Sequence, residues 1–138
     1  MDKKTPRVCV GVIIANPKGE ILLLRSPKWK DQWVVPGGGI EWGEKGEEAV
    51  KREAMEETGL RLTDITFFQA EECVFPEEFH KEQHFIFFDY TAKTQGTAVT
   101  LNEEATEFCW KTPREALHLP LNKSTRGFVE KYRKVARE

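Results

Sequence analysis

Apolar residues along the chain gather in runs with two different spacings, which predict strands and helices. Five runs rich in leucine, β-branched or aromatic residues predict strands, at residues 8–15, 20–25, 62–74, 83–94 and 105–110. The first two flank the turn sequence Asn16-Pro17-Lys18-Gly19. We therefore expect them to pair through a tight turn.

Three further segments predict helices. The first covers about residues 46–58 and ends at Gly59, because glycine readily adopts the left-handed conformation after a last helical turn. A capping box at Thr112-Pro113-Arg114-Glu115 predicts a short helix. A C-terminal helix begins near residues 122–124, with an apolar stripe of Phe128, Tyr132, Val135 and Ala136. Alternating groups of strands and helices predict an α/β (α+β) fold with a mixed β-sheet.

Composition limits the class of protein. A chain of 138 residues, 39% hydrophobic and 32% charged, fits a single globular domain over residues 1–138. The net charge of −2 argues against binding to a nucleic-acid backbone. The apolar runs are far shorter than the roughly 20 residues of a membrane-spanning helix, so no membrane partner is expected. The cysteines, without a CxxC pair, predict thiols in a reducing, cytoplasmic compartment: Cys9, Cys73 and Cys109.

An unusual placement of acidic residues marks the first predicted helix. At 100° per residue, Glu53, Glu56 and Glu57 fall within an arc of about 100° that also holds Ala49 and Val50. Like charges on a packing face disfavour a helix unless a cation compensates them. Carboxylate oxygens aimed together are ligands that a hard divalent cation prefers. A solvated helix face is the alternative interpretation.

A glycine run precedes this helix, in the sequence Trp33-Val34-Val35-Pro36-Gly37-Gly38-Gly39. It does not form the dinucleotide-binding GxGxxG, because Trp42 occupies the third glycine position. It does not form a P-loop, because Glu44 follows Gly43. Together with the helix, the glycine run forms a specific pattern. Five residues separate Gly38 from Glu44, and seven more separate Glu44 from the segment Arg52-Glu53-Ala54-Met55-Glu56-Glu57-Thr58-Gly59-Leu60. This segment, residues 38–60, resembles the signature of the Nudix hydrolases, with Ala54 replacing a larger aliphatic residue.

The resemblance implies an α/β/α sandwich in which the signature forms a loop, a helix and a loop that hold Mg²⁺ or Mn²⁺. By position, it implies metal ligands at Glu53, Glu56 and Glu57, with a carbonyl of Gly37 or Gly38 as a further ligand. It also implies that Glu44 and Arg52 support the loop through an ion pair.

The same resemblance implies hydrolysis of a nucleoside diphosphate linked to another group. Water attack at phosphorus, converting a (deoxy)nucleoside triphosphate to monophosphate and pyrophosphate, is the favoured activity. In several relatives a proline about sixteen residues beyond the signature goes with ADP-ribose, and Pro76 lies sixteen residues beyond Leu60. ADP-ribose is therefore one alternative substrate, and a nucleotide sugar is another. A non-catalytic, nucleotide-sensing regulator is a candidate of another class. Partners are expected to be small nucleotides, with the chain a monomer or a homodimer.

A second acidic cluster before the last predicted strand offers a proton acceptor or a further metal ligand. It contains Glu103, Glu104 and Glu107. Either Glu103 or Glu104 is favoured as the base, with Glu53 or Glu56 as alternatives, and a solvated loop explains each residue equally well.

Three more residues are candidates for substrate binding, each with a structural alternative. Arg25 offers a cation for phosphate, or only a surface charge. Trp33 offers a ring for stacking on a base, or only core packing. Asn122 offers an amide to a base edge, although capping of the last helix is the safer interpretation.

Overall fold

The computed structural model describes residues 4–136. In chain order its elements are β1 (Arg7–Ala15), β2 (Ile21–Ser26), a 3-10 turn (Pro27–Trp29), β3 (Gln32–Val34), β4 (Gly37–Gly39), α1 (Gly46–Thr58), β5 (Thr63–Val74), β6 (His84–Lys93), β7 (Glu107–Lys111), α2 (Pro113–Ala116) and α3 (Lys123–Ala136). The five predicted strands and three predicted helices are confirmed, with small shifts at their ends. The short strands β3 and β4 were not predicted, because three residues carry no readable periodicity.

The sheet is mixed, which confirms the predicted fold class. Its main order is β3-β2-β1-β6-β5, with β4 paired to β1 and β7 paired to β2. Strands β1 and β6 run parallel over nine residue pairs, whereas the other pairs are antiparallel. Strands β1 and β2 pair only beside their turn, at Ala15 and Ile21. Beyond that point β4 pairs with β1 while β3 and β7 pair with β2, and a cleft opens between the two groups of strands.

Helices cover both faces of the sheet. Alternate residues of β1, among them Val12 and Ile14, pack with Ala49, Val50 and Ala54 of α1 in one cluster. Ile13, between them, packs with Phe128 and Val129 of α3 in a second cluster. Burial on both faces explains why β1 and β2 are continuous apolar runs instead of alternating ones.

Local signals fix the bounds of α1. Glu48 in its first turn accepts a hydrogen bond from the Lys45 backbone N–H at 2.7 Å, and its negative charge favours the positive helix N-terminus. At the other end Gly59 has φ 74°, and its N–H bonds to the Met55 carbonyl at 3.0 Å. The predicted helix over residues 46–58 is therefore confirmed at both ends.

The predicted apolar stripe of α3 is only partly correct. Phe128 is 1% exposed and Tyr132 packs against the same cluster, but Val135 is 71% exposed. Residues 134–136 at the end of α3 are all exposed, so the packed stripe ends before them. Within residues 4–136, no helix is both long and apolar enough to cross a membrane. All three cysteines are free thiols.

Candidate active site

Three carboxylates from distant parts of the chain converge next to the glycine run. They belong to Glu53 and Glu57 of α1 and to Glu104 in the loop 94–106, and one oxygen of each lies within 4.8 Å of the others. Glu53 and Glu57 are 7% and 5% exposed, whereas the Glu104 side chain is 42% exposed. The cluster is therefore buried where Glu53 and Glu57 lie and open to solvent on the side of Glu104.

Three of the acidic residues singled out in the sequence lie outside this group: Glu56, Glu103 and Glu107. The Glu56 side chain is 52% exposed and pairs with Arg52 at 3.2 Å. Helix geometry explains this, because Glu56 lies about 60° around the helix from Glu53, on the side opposite the buried Ala54. Glu103 is exposed in a turn, so the structure brings Glu104, and not Glu103, to the other carboxylates.

Backbone hydrogen bonds hold the Glu104 loop against the end of α1 and against β2. The Thr100 N–H donates to the Thr58 carbonyl and the Thr106 N–H to the Arg25 carbonyl, both at 3.0 Å. Within the loop, the Glu104 N–H donates to Asn102 Oδ1 at 3.0 Å. The Lys28 Nζ pairs with Glu104 Oε1 at 3.0 Å and orients its carboxylate.

The glycines allow the close approach between β4 and the carboxylates. A Cβ at Gly38 would lie 2.5 Å from the Glu53 carboxylate, and one at Gly37 would overlap the Val10 carbonyl. In the ladder between β1 and β4, Gly38 pairs with Val10. The hydrogen bonds on either side of this pair run from the Ile40 N–H to the Val8 carbonyl and from the Val12 N–H to the Pro36 carbonyl. Gly37 therefore turns its backbone groups away from β1, and its N–H donates to Glu57 Oε1 at 3.3 Å.

Arg52 connects the loop, the helix and β4. Its guanidinium donates two bonds to Glu44, at 2.8 and 2.9 Å, and one to Glu53 Oε1 at 2.8 Å. A further bond reaches the Gly39 carbonyl at 2.9 Å. The hydrogen bonds from Arg52 are the main reason that the pKa of Glu44 is lowered to about 2. Because the guanidinium is planar and its donors point in fixed directions, the bond to Glu53 holds that carboxylate in position. The ion pair inferred for Glu44 and Arg52 is part of the same arrangement.

The donor set of this cluster fits a divalent cation. Glu57 Oε2 is buried and has no hydrogen-bond partner among residues 4–136, and an unsatisfied buried oxygen is costly. Burial above all, and then the adjacent Glu53 carboxyl, raise the pKa of Glu57 to about 10. Two carboxyls forced together away from water favour a bound cation or a shared proton. Mg²⁺ and Mn²⁺ prefer oxygen ligands of this kind.

A cavity extends from these carboxylates into the cleft between the strands. Glu57, Glu104, Gly37 and Gly38 line it at the acidic end. Aromatic side chains line its wall at Trp29, Phe79, Phe85 and Phe87. Polar groups line the far end at Asp89, Asn122, Ser124 and Thr125. With a divalent cation at the acidic end, the cavity suits a ligand that has an anionic group at one end and a polar ring at the other. The aromatic wall and the polar far end would contact the ring.

The structure places the three candidate substrate residues differently. Asn122 lines the cavity and also caps α3, because its Oδ1 accepts from the Thr125 N–H at 2.8 Å. Arg25 is absent from the cavity lining and pairs with Glu107 at 2.6 Å. The Trp33 side chain packs in the second cluster, while its carbonyl accepts from the Asn122 N–H at 3.2 Å. Of the three, only Asn122 reaches the cavity.

Among the polar residues of the cavity that sequence reasoning missed is Asp89 of β6. Asp89 is 2% exposed and lies in the predicted strand of residues 83–94, directly after Phe87 and Phe88. A carboxylate in the middle of an apolar strand is the signal that could have found it, because a buried charge needs a partner or a function.

Comparisons with known proteins agree with this geometry. The sequence profile described as NUDIX domain matches residues 5–132. Nucleoside triphosphatase NudI of Escherichia coli (strain K12) is 34% identical over 101 residues, which cover 69% of this chain and 72% of that protein.

Solved structures show the same fold. The MutT protein from Methanosarcina mazei Go1 superposes with a TM-score of 0.78 and 27% identity, over 99% of this chain and 100% of that chain. The NUDIX domain of Shewanella oneidensis NrtR, solved with ADP ribose, gives a TM-score of 0.81 over 97% of this chain and 90% of that chain. At 18% identity, the second likeness shows the fold alone. The chain belongs to the Nudix hydrolase family and is a pyrophosphohydrolase of the MutT type.

Proposed function

We propose that this enzyme converts (deoxy)nucleoside triphosphates to monophosphates and pyrophosphate, with Mg²⁺ or Mn²⁺ as its cofactor. The observation that carries the proposal is the convergence of Glu53, Glu57 and Glu104, two of which line one end of a cavity that also has polar residues. The likeness to an E. coli protein named a nucleoside triphosphatase supports the choice of substrate.

Glu53 and Glu57 are the residues that would hold the cation, because both are buried and one Glu57 oxygen has no hydrogen-bond partner in the part of the chain that the structure describes. Gly37 is the better placed of the two glycines to add a carbonyl, since its backbone groups face away from β1. When bound, the ion neutralises the phosphate oxygens and lowers the pKa of a coordinated water.

The chain itself supplies positioning and a proton acceptor. Arg52 keeps Glu53 in one orientation through the 2.8 Å bond between them. Glu104 is the most exposed of the three carboxylates, and Lys28 holds it at 3.0 Å. We assign Glu104 to accept the proton of the attacking water, because it lies beside the cation ligands and faces solvent.

At the other end of the cavity, Asn122 would contact the base of the nucleotide. Its Oδ1 is occupied by the α3 cap, which leaves the Nδ2 amide to donate to a ring acceptor. The aromatic side chains along the wall, Phe87 among them, offer surfaces for the ring.

The test is a panel of substrates incubated with and without Mg²⁺, with the products identified by chromatography. The panel contains the common nucleoside triphosphates, ADP-ribose and a nucleotide sugar. We expect monophosphate and pyrophosphate from a triphosphate, and no turnover in excess chelator. Faster cleavage of ADP-ribose than of every triphosphate would refute the proposed substrate.

A pair of variants on α1 tests the cation ligands. Glu57→Gln should lower kcat by at least about 100-fold and weaken Mn²⁺ binding in a calorimetric titration, because it removes a charged ligand. Glu47→Gln is the matched control, since Glu47 lies on the outer face of the same helix with a side chain 58% exposed. Equal activity of the two variants would contradict the assignment.

A further inference from the structure

An irregularity in β5 turns polar side chains toward the face of the sheet that holds Asp89. Phe67 pairs with Tyr90 and Gln69 pairs with Asp89, so Phe68 is an extra residue in the ladder. Phe67 contacts Phe88 and Tyr90, which pack with the α1 cluster. Phe68 instead contacts Phe128 of α3. Because a one-residue bulge reverses the facing of all later residues, Gln69 and Glu71 join the α3 face.

The bulge places a polar group around Asp89 that the proposed catalysis does not use. Gln69 Nε2 donates to Asp89 Oδ2 at 2.8 Å. The Glu71 carboxyl is adjacent to that of Asp89 and contributes to its raised pKa, and Ser124 Oγ donates to Glu71 Oε2 at 3.0 Å. Asp89 therefore has a fixed orientation although it lies in an apolar strand.

The position of Asp89 in the cavity also explains Gly11. A Cβ at Gly11 would lie 2.9 Å from Asp89 Oδ1, so a larger residue there would displace the carboxyl. Gly37, Gly11 and Asp89 are paired in one row across β4, β1 and β6. Two strand spacings, about 10 Å, thus separate Asp89 from the glycine that contacts Glu57. A ligand that reaches both ends must be extended, as a nucleotide is.

The hydrogen bonds define what Asp89 offers to a ligand. Burial, followed by the adjacent Glu71 carboxyl, raises the pKa of Asp89 to about 9. Asp89 Oδ2 accepts the Gln69 bond, whereas Oδ1 lies beside Gly11, which also lines the cavity. With the proton of Asp89 directed to the half-buried Glu71, Oδ1 is the acceptor that Asp89 offers to a ligand.

We propose that Asp89, held by Gln69 and Glu71, is a specificity-determining residue that accepts a hydrogen bond from an N–H or NH₂ group on the edge of the nucleotide base. Asn122 Nδ2 donates to a neighbouring ring acceptor on the same edge. The inference rests on the proposed function and adds to it the residue that selects the ring.

The experiment compares kcat/KM for a substrate with and without the ring donor. The four common deoxynucleoside triphosphates are ranked first. The best is then compared with its analogue in which the ring-edge N–H groups are replaced by N-methyl groups. In the wild-type enzyme the analogue should be about 10- to 100-fold poorer, because Asp89 is left unsatisfied. In Asp89→Leu this ratio should fall below about threefold.

Two further variants separate specificity from structure. Asp89→Asn should retain the discrimination, because its Nδ2 donates to Glu71 and its Oδ1 still accepts. Gln69→Leu should reduce the ratio at least about threefold without altering the buried residue, which keeps the test valid if Asp89→Leu does not fold. Glu72→Gln is the control, because Glu72 is exposed and paired with Ile86 on the opposite face.

The outcomes distinguish this inference from the proposed function. A wild-type enzyme that cleaves no triphosphate refutes both. An active wild-type enzyme that does not discriminate against the methylated analogue refutes the inference alone. The same holds if Asp89→Leu, or Gln69→Leu in its place, discriminates as strongly as the wild type.

Discussion

Gly38→Ala should disable the carboxylate cluster without removing any of its members. A Cβ at position 38 would lie 2.5 Å from Glu53 Cδ and Oε2 and 2.6 Å from Oε1. Since ordinary van der Waals contact begins near 3.4 Å, the carboxylate must retreat by about 0.9 Å. Glu53 has little freedom to do so, because it is 7% exposed and bonded to Arg52 at 2.8 Å.

A displacement of about 1 Å at a reacting centre costs about 100-fold in rate, so we expect kcat/KM to fall by that factor. Overpacking should lower the free energy of unfolding by about 1–3 kcal/mol, which leaves the variant folded for assay. Steady-state kinetics with Mg²⁺ and calorimetric titration with Mn²⁺ measure the two effects on the site. Gly96→Ala is the control, because no atom of the described residues outside its chain neighbours lies within 4 Å of the added Cβ. Wild-type kinetics and Mn²⁺ affinity in Gly38→Ala would refute the reasoning.

Three more predictions concern single residues. Arg52→Lys should weaken Mn²⁺ binding by about 10- to 100-fold in calorimetry, because lysine cannot make the forked contacts that orient Glu53; unchanged affinity would contradict this. Glu104→Gln should lower kcat by about 100-fold or more while Glu103→Gln leaves it near wild type, and the reverse order in initial-rate assays would reassign the base. Asp89→Asn should remove a pH dependence of stability. The pKa of Asp89 rises from 3.8 unfolded to about 9 folded, so the folded state binds the extra proton. Wild-type stability relative to the variant should therefore fall between about pH 4 and pH 9, by up to about 1.4 kcal/mol per pH unit in urea unfolding. A difference that grows in the opposite direction would exclude a protonated Asp89.

The sequence alone determined the elements and the signature because these depend on local rules. The turn between β1 and β2, the end of α1 at Gly59 and the Thr112 capping box are contacts between residues at most a few positions apart. The spacing from Gly38 to Leu60 likewise identifies the acidic helix from the order of residues alone. Periodicity also put Glu53 and Glu57 on the packed face of α1, which is where they lie.

Tertiary structure decided which acids meet and what lines the cavity. Glu104 reaches Glu57 through loop 94–106, which is anchored by backbone bonds that no local pattern encodes. Glu56 lies outside the group because the packed face of α1 is centred elsewhere. The polar far end depends on one extra residue in β5 and on the parallel pairing of β1 with β6. Strand register is a property of the whole sheet, since each side chain's facing depends on partners far away in sequence.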